Sequence, residues 1–490
     1  MTKGKQYIIC VDQGTSSTKC LLLDRQGRIV KRLSYPHSSF FPGPQHVEQD
    51  GVEIGENTEK GIAALYEYAC GDVAVVSMAV QTGAFILWDA DTGEAVGRMN
   101  GWQDRRGAEI LQEFTQEEKE RLMAAGYTPS AHTIPMRLLW RLRREPETAE
   151  LAAKGRLRFG TVDCWLLHRW TRGKVHACNF CNASMTRMFD LEHGCWNRAL
   201  LEALGVPLEA MPQVLPDDAV YGTYDRDGIS VPIGGVMGDS AAAMFGQGCY
   251  RPGDVKITYG TGASYLLHIG SEPKKPPQDM ALTTIWNRSG VKAYAWEGTV
   301  SYAGAALSWL EKNLKIPVFA QGAEGIASML ALAAGRERIY YIPAFTGLGS
   351  VPAHGCILGL SAGTQVGDLI RAALESTAFQ VRDIAEKIRQ YAGIGYPRQV
   401  AVDGGGSVNP YTMQFQADML CCRVKCSGIE ECSALGAAMM GGLSVGLYPS
   451  EEDLPQQKTN RGVYDPVMDS EERERAYRGW LEALEIAKMK

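Results

Sequence analysis

The amino-acid sequence predicts an α/β protein of two related domains that face each other across a cleft. Two observations lead to this prediction: the length of the chain, and a unit that occurs once in each half. At 490 residues the chain is too long for a single hydrophobic core, so two domains are expected. The repeated unit is a strand, a Gly-Thr turn and a second strand, and it lies near Gly14 and again near Thr261. Two such turns facing each other are what a nucleotide site between domains needs.

The first copy of this unit begins close to the N-terminus. Residues 7–11 and 20–23 are apolar strands, and the turn between them contains Asp12, Gly14 and Lys19. Glycine lets the backbone approach a ligand closely, and successive N–H groups in such a turn form a cup for phosphate oxygens. The sequence therefore predicts a phosphate-binding hairpin here, with a third strand following over residues 28–33.

Helices and strands alternate through the rest of the N-terminal half. The predicted elements are a helix over 53–68, strands over 73–80 and 84–88, and helices over 136–144, 148–154 and 164–170, the last with Asp163 as its N-cap. Residues 100–106 form a polar and aromatic group at the head of a helix. Its Trp102 lies beside Asp104 and would help to wall a pocket for a hydroxylated ligand. The alternative is a Trp packed on a helix start next to a surface Arg pair.

The second copy of the unit follows a glycine-rich turn that contains a single carboxylate, Asp239, next to Ser240. Strands come before and after Gly260, Thr261 and Gly262. A carboxylate near a phosphate-binding turn can accept a proton from the group that receives the phosphate, or hold a metal beside it. The alternative is that Asp239 only caps the small-residue helix after it.

The C-terminal half contains a third glycine-rich loop. The predicted elements are strands over 293–297, 339–344 and 399–402, helices over 304–314, 368–391 and 434–442, and a terminal helix capped by Asp469 whose core face is Tyr477, Trp480, Leu481 and Leu484. The strand over 399–402 leads into residues 403–409, where glycines open a helix. A strand followed by glycines at a helix N-terminus favours a nucleotide's phosphates or ribose.

Composition indicates a soluble globular protein. Hydrophobic residues make up 45% of the chain and charged residues 22%, and the net charge is -6, which argues against a nucleic-acid partner. The sequence has no apolar run of membrane-spanning length and no secretory segment, so a cytoplasmic protein without a membrane partner is expected. Thirteen scattered cysteines favour reduced thiols, and the single Cys178-x-x-Cys181 motif is too little for a zinc site.

Taken together, these motifs resemble the FGGY family of carbohydrate kinases over essentially the whole chain, in particular its glycerol-kinase-like and xylulokinase-like members. So many ordered matches are specific, where one glycine-rich loop would be weak. The matching segments are 12–19, 102–106, 160–163, 238–239, 259–262, 297–298, 303–305, 343–349, 355–360, 368–375, 403–405 with Asn409, 413–418 and 434–438.

The resemblance implies an actin-like ATPase fold, in which two ribonuclease-H-like domains enclose ATP and substrate. Residues 1–248 would carry substrate and base, and residues 249–490 the nucleotide. Asp239 would be the general base, and Asp12 would orient Mg²⁺. The phosphate and nucleotide contacts would be Thr15, Ser16, Lys19, Gly260, Thr261, Gly304, Gly405 and Asn409. The substrate contacts would be Gln81, Thr82, Trp102, Asp104, His132, Asp239 and Ser240.

The departures from the family pattern concern the substrate. Glycerol kinases usually carry Arg-Glu where this chain has Thr82-Gly83, Tyr where His132 aligns, and Gln-Gln where Ser240 and its neighbour stand. The family's Lys is replaced by Arg137, and the segment 350–355 is shortened. Polar groups that hold glycerol are therefore changed, while the ATP-binding motifs are intact.

We therefore expect an ATP-dependent kinase acting on a primary hydroxyl of a small polyol or ketose. Glycerol itself and a ketopentose such as xylulose both remain open as substrates. An alternative from another class is a nucleotide-gated, actin-like module that is not a kinase, although such modules lack the Trp102 loop and a base like Asp239. For self-assembly, a homodimer and a homotetramer are the two expectations.

Overall fold

A computed structural model describes residues 4–316, 322–333, 337–345, 347, 353–429, 431–455 and 460–488. Its strands are β1 (Tyr7–Gln13), β2 (Ser17–Asp24), β3 (Ile29–Pro36), β4 (Ser39–Phe40), β5 (Glu48–Gln49), β6 (Val73–Val80), β7 (Phe85–Asp89), β8 (Met99–Asn100), β9 (Leu157–Thr161), β10 (Ala177–Asn179), β11 (Phe189–Asp190), β12 (Cys195–Trp196), β13 (Gln213–Leu215), β14 (Val220–Arg226), β15 (Ile229–Gly238), β16 (Val255–Tyr259), β17 (Ala263–Gly270), β18 (Ala281–Arg288), β19 (Val291–Val300), β20 (Tyr340–Ile342), β21 (Cys356–Leu358), β22 (Gln399–Asp403), β23 (Arg423–Ser427) and β24 (Asn460–Tyr464).

The helices flank these strands. They are α1 (Gly51–Tyr68), α2 (Gly107–Glu113), α3 (Gln116–Ala124), α4 (Ile134–Arg144), α5 (Pro146–Ala153), α6 (Val162–Trp170), α7 (Phe180–Met185), α8 (Arg198–Leu204), α9 (Asp239–Gly246), α10 (Gly304–Leu314), α11 (Gly322–Leu332), α12 (Val366–Ala392), α13 (Pro410–Leu420), α14 (Cys432–Ser444) and α15 (Ser470–Lys488). Short 3-10 helices occupy Leu208–Ala210, Gly405–Val408 and Glu451–Asp453.

Two large mixed sheets have the same strand order. In the first, β3, β2, β1, β6 and β15 lie side by side, with β1 antiparallel to β2 and parallel to β6. In the second, β19, β17, β16, β22 and β23 repeat this order, with β16 antiparallel to β17 and parallel to β22. Each sheet thus contains three antiparallel strands followed by two parallel strands, and in the second sheet β18 lies between β17 and β19 along the chain and pairs at the edge. The repeat inferred from the Gly-Thr turns is confirmed for these five strands.

The strands at the centre of the first sheet are buried on both faces. Every residue of β6 is buried, as its uninterrupted apolar sequence predicts for a strand covered by helices on both sides. Helix α1 covers one face and begins at Asp50, whose carboxylate accepts hydrogen bonds from the N–H groups of Val52 and Glu53. This packing fixes the C-terminal ends of β1 and β6, where the predicted site begins.

Helix α14 belongs to the second half of the chain but packs on the first sheet, beside α9. The contact leaves no room for side chains, since a Cβ on Gly436 would lie 1.8 Å from the carbonyl oxygen of Ala242. Likewise, a Cβ on Gly441 would lie 2.0 Å from Oγ of Ser77. One hydrophobic core, which includes Ile8 and Met440, is therefore shared between the two halves of the chain.

Most predicted elements are confirmed within a few residues, and two details are wrong. Asp163 is not the N-cap of α6, which is Thr161; the Asp163 carboxylate instead accepts hydrogen bonds from Oγ1 of Thr161 and the backbone N–H of Asn179. Leu481 of α15 is 42% exposed, so it lies outside the core face that Trp480 occupies. Within the described ranges, no helix is both long and apolar enough to cross a bilayer.

Candidate active site

The first predicted phosphate turn is a tight hairpin between β1 and β2. The N–H of Gly14 donates to the carbonyl oxygen of Ser17 at 3.0 Å, and Asp12 lies directly opposite Lys19 in the strand register. Thr15 and Ser16 form the tip, where Ser16 is exposed. The structure therefore brings the carboxylate, the ammonium group and the two hydroxyl residues of the motif to one end of the hairpin.

Asp12 lies among charged groups of both signs. Burial, reinforced by the neighbouring Glu431 and Asp239 carboxylates, raises its pKa to about 7, although Lys19 opposes this shift. Lys19 in turn forms an ion pair with Glu431 at 2.9 Å, and Arg32 approaches the same carboxylate at 3.3 Å. Glu431 was not predicted as a site residue, because it lies more than 400 residues from Lys19 along the chain and no local motif marks it.

The predicted base, Asp239, is the first residue of α9 and directly follows β15. Its Oδ1 accepts a hydrogen bond of 2.7 Å from the N–H of Ser240, but the N-cap of the helix is Gly238. The prediction that Asp239 only caps this helix is therefore wrong. Burial raises the pKa of the Asp239 carboxyl, and Glu297 adds to the effect.

Thr82 lies next to this base. A Cβ on Gly238 would lie only 2.8 Å from Cγ2 of Thr82, so glycine at this position allows the two turns to touch. A Cβ on Gly83 would in turn lie 3.3 Å from Cβ of Trp102. The residues predicted on the substrate side, Thr82 and Trp102, therefore form one wall beside Asp239.

Trp102 connects this wall to the phosphate turn. Its Nε1 donates to Oγ1 of Thr15 at 3.1 Å, while the side chain remains 47% exposed. His132 is also exposed, and its Nδ1 lies 3.1 Å from Oγ of Ser130. Burial lowers the pKa of His132, with a further contribution from nearby arginines that include Arg137, so a neutral imidazole is favoured.

Gln81 belongs to a buried amide network under the phosphate turn. Its Nε2 donates to Oε1 of Gln13 at 3.1 Å and to Oε1 of Gln49 at 3.0 Å. Gln49 in turn donates to the carbonyl oxygen of Thr15. The remaining acceptor, Oε1 of Gln81, has no hydrogen-bond partner among the described residues. This network supports the phosphate turn.

Asp104 does not reach the cleft, contrary to its predicted substrate contact. Its side chain is fully buried and pairs with Arg106, which donates to Oδ2 at 2.8 Å. Oδ2 also accepts hydrogen bonds from Nε of Arg106 at 3.0 Å and from the backbone N–H of Val47 at 2.7 Å. With its oxygens engaged and inaccessible, Asp104 supports the loop that carries Trp102.

Arg137 is a further supporting residue, known from the sequence only as a departure from the family pattern. The residue is 1% exposed, and its guanidinium donates to the carbonyl oxygen of Gly101 at 2.5 Å and to that of Gly83 at 2.6 Å. Burial lowers its pKa to about 10, which still leaves it charged at neutral pH. One side chain of α4 therefore holds both substrate-side loops.

The second Gly-Thr hairpin is joined to the start of α10. The carbonyl oxygen of Thr261 accepts hydrogen bonds from the N–H groups of Ala303 and Ala305, and that of Gly260 accepts one from Gly304. On the other side, Gly404 has φ = 88°, and a Cβ there would lie 2.3 Å from the carbonyl oxygen of Tyr259. Only glycine allows the third loop to lie this close to the hairpin.

These three segments enclose a cavity of about 250 Å³. It contains four of the five predicted nucleotide residues of the C-terminal half, while Thr261 lies outside it at the exposed tip of the hairpin. Its lining residues are Tyr259, Gly260, Ala303, Gly304, Leu307, Ile326, Leu374, Thr377, Gly405, Gly406, Val408, Asn409 and Thr412.

The described residues include no group of three or more His, Cys, Asp or Glu side chains that could hold a metal on its own. Mg²⁺ is usually held by only one or two carboxylates together with phosphates and water, so a site without three protein ligands is compatible with Mg²⁺. One such oxygen is Oδ1 of Asp403, which is buried and has no hydrogen-bond partner among the described residues. Of the matching motif at 343–349, residues 346, 348 and 349 lie outside the described residues, as do residues 350–352 of the shortened segment.

Comparisons with known proteins agree with this geometry. The model for the N-terminal domain of the FGGY family of carbohydrate kinases matches residues 7–246, and the model for its C-terminal domain matches residues 255–445. A glycerol kinase from Alkaliphilus oremlandii (strain OhILAs) is 37% identical to this chain, covering 99% of this chain and 97% of its own length.

Solved structures extend the likeness to the whole fold. Plasmodium falciparum glycerol kinase with ADP has a TM-score of 0.90 at 25% identity, covering 99% of both chains. A ligand-bound xylulose kinase from Lactobacillus acidophilus has a TM-score of 0.83 at 19% identity, covering 98% of both chains, and supports the fold alone. The predicted two-domain, actin-like ATPase fold is thereby confirmed. The chain belongs to the FGGY family of carbohydrate kinases and is an ATP-dependent kinase.

Proposed function

We propose that this kinase transfers the γ-phosphoryl group of ATP to a primary hydroxyl of a small polyol or ketose, with Asp239 as general base. The observation that carries the proposal is the contact between Thr82 and Gly238, which sets a substrate-side wall directly beside the Asp239 carboxylate. A carboxylate at this point can take the proton from a hydroxyl bound against that wall while the hydroxyl oxygen attacks phosphorus. Its raised pKa makes it a stronger base once deprotonated.

The phosphate groups would lie between the two hairpins. On one side, Thr15, Ser16 and Lys19 offer two hydroxyls and a positive charge. On the other side, Gly260 and Thr261 offer backbone groups at the mouth of the cavity. Lys19 would exchange its ion pair with Glu431 for the phosphate, which is a stronger partner because it carries more negative charge.

The nucleotide would occupy the cavity beside Gly304, Gly405 and Asn409. Asp12 would hold Mg²⁺, with phosphate oxygens and water as its remaining ligands. When bound, Mg²⁺ supplies positive charge that offsets the phosphate oxygens. The protein's own part is to keep Asp12 and Lys19 in register across the hairpin. In this arrangement residues 1–248 carry substrate and base, and residues 249–490 carry the nucleotide.

The substrate pocket favours a polyol or ketose longer than glycerol. Thr82 and Gly83 provide no charged side chain, and the carbonyl oxygen of Gly83 is already used by Arg137. The remaining polar groups, which include His132 and Ser240, are exposed. A three-carbon triol has few atoms with which to reach them, whereas a chain of four or more carbons can. The glycerol kinase relatives make glycerol the main competing substrate, and xylulose remains the second.

An ADP-release assay over polyols, ketoses and aldoses tests this proposal. At least one compound of four or more carbons should exceed glycerol by roughly tenfold or more in kcat/KM, a factor equivalent to about 1.4 kcal/mol. Parallel reactions without acceptor measure ATP hydrolysis by water and serve as the control. If glycerol gives the highest kcat/KM, the interpretation that Thr82 and Gly83 disfavour glycerol is wrong. If no acceptor stimulates ADP release, the polyol or ketose class is wrong.

Location and assembly also stay proposals. We infer a cytoplasmic protein, since its thirteen cysteines are compatible with a reducing compartment and every cysteine is free. For assembly, a homodimer and a homotetramer are the expectations, and light scattering on the purified chain would distinguish them from each other and from a monomer.

A further inference from the structure

The side chain of Glu431 lies between two cations of the first sheet. Its Oε2 is 2.9 Å from Nζ of Lys19 in β2, and its Oε1 is 3.3 Å from a terminal nitrogen of Arg32 in β3. The Glu431 side chain is only 6% exposed, whereas the side chains of Lys19 and Arg32 are 36% and 41% exposed. A nearly buried carboxylate therefore has one partly exposed cation on each oxygen.

Glu431 is the fixed member of this group. It immediately precedes α14, and its carbonyl oxygen accepts the hydrogen bond from the N–H of Leu435 that begins the helix. Helix α14 in turn packs against α9 without room for a side chain at Gly436. Lys19 has a flexible four-carbon stem and is partly exposed, so its ammonium group can turn away from Glu431 more easily than Glu431 can follow it.

The second cation makes such a movement possible. A buried carboxylate that loses its partner destabilises the protein by more than the ion pair had stabilised it, because its charge is left uncompensated. If Lys19 were the sole partner, this cost would oppose binding of Lys19 to a phosphate. Arg32 holds the other carboxylate oxygen, so Glu431 stays paired when Lys19 moves.

We propose that Glu431 competes with the transferring phosphate for Lys19, and that Arg32 is the counter-ion that stays with Glu431 when Lys19 leaves. This inference rests on the proposed function, in which Lys19 binds that phosphate. Glu431 acts through Lys19 and is therefore a positioning residue. It keeps the ammonium group at the hairpin before the nucleotide binds, lowers the affinity for the phosphate, and takes the ammonium group back when the phosphorylated product leaves.

Glu431→Gln removes the competing charge and nearly keeps the shape of the side chain. Equilibrium binding is measured for a non-hydrolysable ATP analogue and for ADP, which lacks the transferring phosphate. We expect Glu431→Gln to bind the analogue roughly three- to tenfold more tightly, the range of a charged contact that is partly open to solvent. The affinity for ADP should change less than about twofold, because Lys19 has no transferring phosphate to bind.

Arg32→Met should have the opposite effect. Without Arg32, the departure of Lys19 would leave Glu431 buried and uncompensated, so the analogue should bind roughly threefold or more weakly. In a chain that also carries Glu431→Gln, Arg32→Met should have little effect, because no carboxylate is left to compensate. Since the Arg32 side chain is 41% exposed, this variant tests the inference even if Glu431→Gln does not fold.

Two further variants separate competition for Lys19 from other effects. In a Lys19→Met chain, Glu431→Gln should no longer tighten binding of the analogue, because no ammonium group remains to be released. Glu59→Gln is the matched control, since the Glu59 side chain is 13% exposed and lies 2.9 Å from both Arg169 of α6 and Arg226 of β14. It should lower Tm and leave both nucleotide affinities unchanged.

Several results would overturn the inference. One is that Glu431→Gln leaves the affinity for the analogue unchanged or weakens it, or tightens ADP binding equally. Another is that the gain persists in the Lys19→Met chain, since Glu431 would then act by repelling the nucleotide directly. A third is that Arg32→Met binds the analogue as tightly as wild type does. Each of these leaves the kinase proposal standing, whereas wild-type affinity of Lys19→Met for the analogue would contradict the role of Lys19 in the proposed function, and this inference with it.

Discussion

Replacing Arg137 with methionine should weaken substrate binding without weakening ATP binding. The guanidinium holds the carbonyl oxygens of Gly101 and Gly83, and these residues adjoin Trp102 and Thr82. Methionine fills a similar volume but donates no hydrogen bond, so two loops of the substrate wall lose their shared support. The cavity for the nucleotide lies in the other half of the chain and has no contact with this side chain.

The size of the effect follows from two opposing contributions. A hydrogen bond from a charged donor contributes about 1.5–3 kcal/mol, and Arg137 makes two of them to loop carbonyls. Methionine also removes the cost of burying a charge, which offsets part of this loss. We therefore expect the free energy of unfolding to fall by about 2–4 kcal/mol. The KM for the best polyol or ketose should rise by at least roughly tenfold.

Arg141→Met provides a matched control. Arg141 lies one turn further along α4, is 2% exposed, and donates to the carbonyl oxygens of Val96 and Arg98. Arg141 also forms an ion pair with Glu145, so its loss should lower stability by at least a comparable amount. It should leave the KM for the substrate nearly unchanged, since it does not hold Gly83 or Gly101.

Initial rates at varied acceptor and varied ATP, together with urea unfolding, measure these quantities. Arg137→Lys should give an intermediate KM, because a single ammonium group cannot hold both carbonyls in the same planar arrangement. The reasoning fails if Arg137→Met and Arg141→Met raise the acceptor KM equally. It also fails if Arg137→Met raises the KM for ATP as much as that for the acceptor.

Three further predictions concern the reaction and the cleft. Asp239→Asn should lower kcat by ~10²–10⁴-fold while ATP affinity changes little, and near-normal turnover would remove Asp239 from the mechanism. Burial raises the pKa of Asp239 and that of Asp12, the latter to about 7, so both carboxylates gain protons as the pH falls. We therefore expect kcat/KM to decline below neutral pH. A kcat/KM that stays constant from pH 8 to about 5 would contradict this prediction. X-ray scattering should show a smaller radius of gyration with acceptor and a non-hydrolysable ATP analogue together than with either alone, and unchanged dimensions would count against closure of the cleft.

The fold was predictable largely because its strongest signals are local. Apolar runs such as β6 and glycine turns such as those at Gly14 and Gly260 specify their own conformation, whatever lies around them. Their repetition in the two halves was enough to predict two related sheets. The contact of α14 with the first sheet was not predictable, since small residues such as Gly436 indicate close approach but not the partner.

The sequence predicted where the candidate site residues lie better than it predicted which side chains they contact. Four residues predicted to bind the nucleotide line one cavity, because each is a glycine or a cap at the end of an element. The contacts of side chains are harder to predict from sequence. An acidic residue in a loop, such as Asp104, is expected to be exposed, but Asp104 is buried in an ion pair with Arg106. Glu431 was not predicted as a site residue, because its ion-pair partner Lys19 is distant in the sequence.

The two departures at the substrate end of the cleft are connected. By the resemblance, glycerol kinases carry a charged pair where Thr82 and Gly83 stand, and the first motif of the family expects a lysine where Arg137 stands. In this chain the guanidinium comes from α4, but its two terminal nitrogens are used by backbone carbonyls, one of them on Gly83 itself. Arg137 is only 1% exposed, so the positive charge is near the pocket without presenting a donor to a substrate hydroxyl. A substrate must find its hydrogen bonds at other, exposed groups such as His132, and this is the physical reason to expect a chain longer than three carbons.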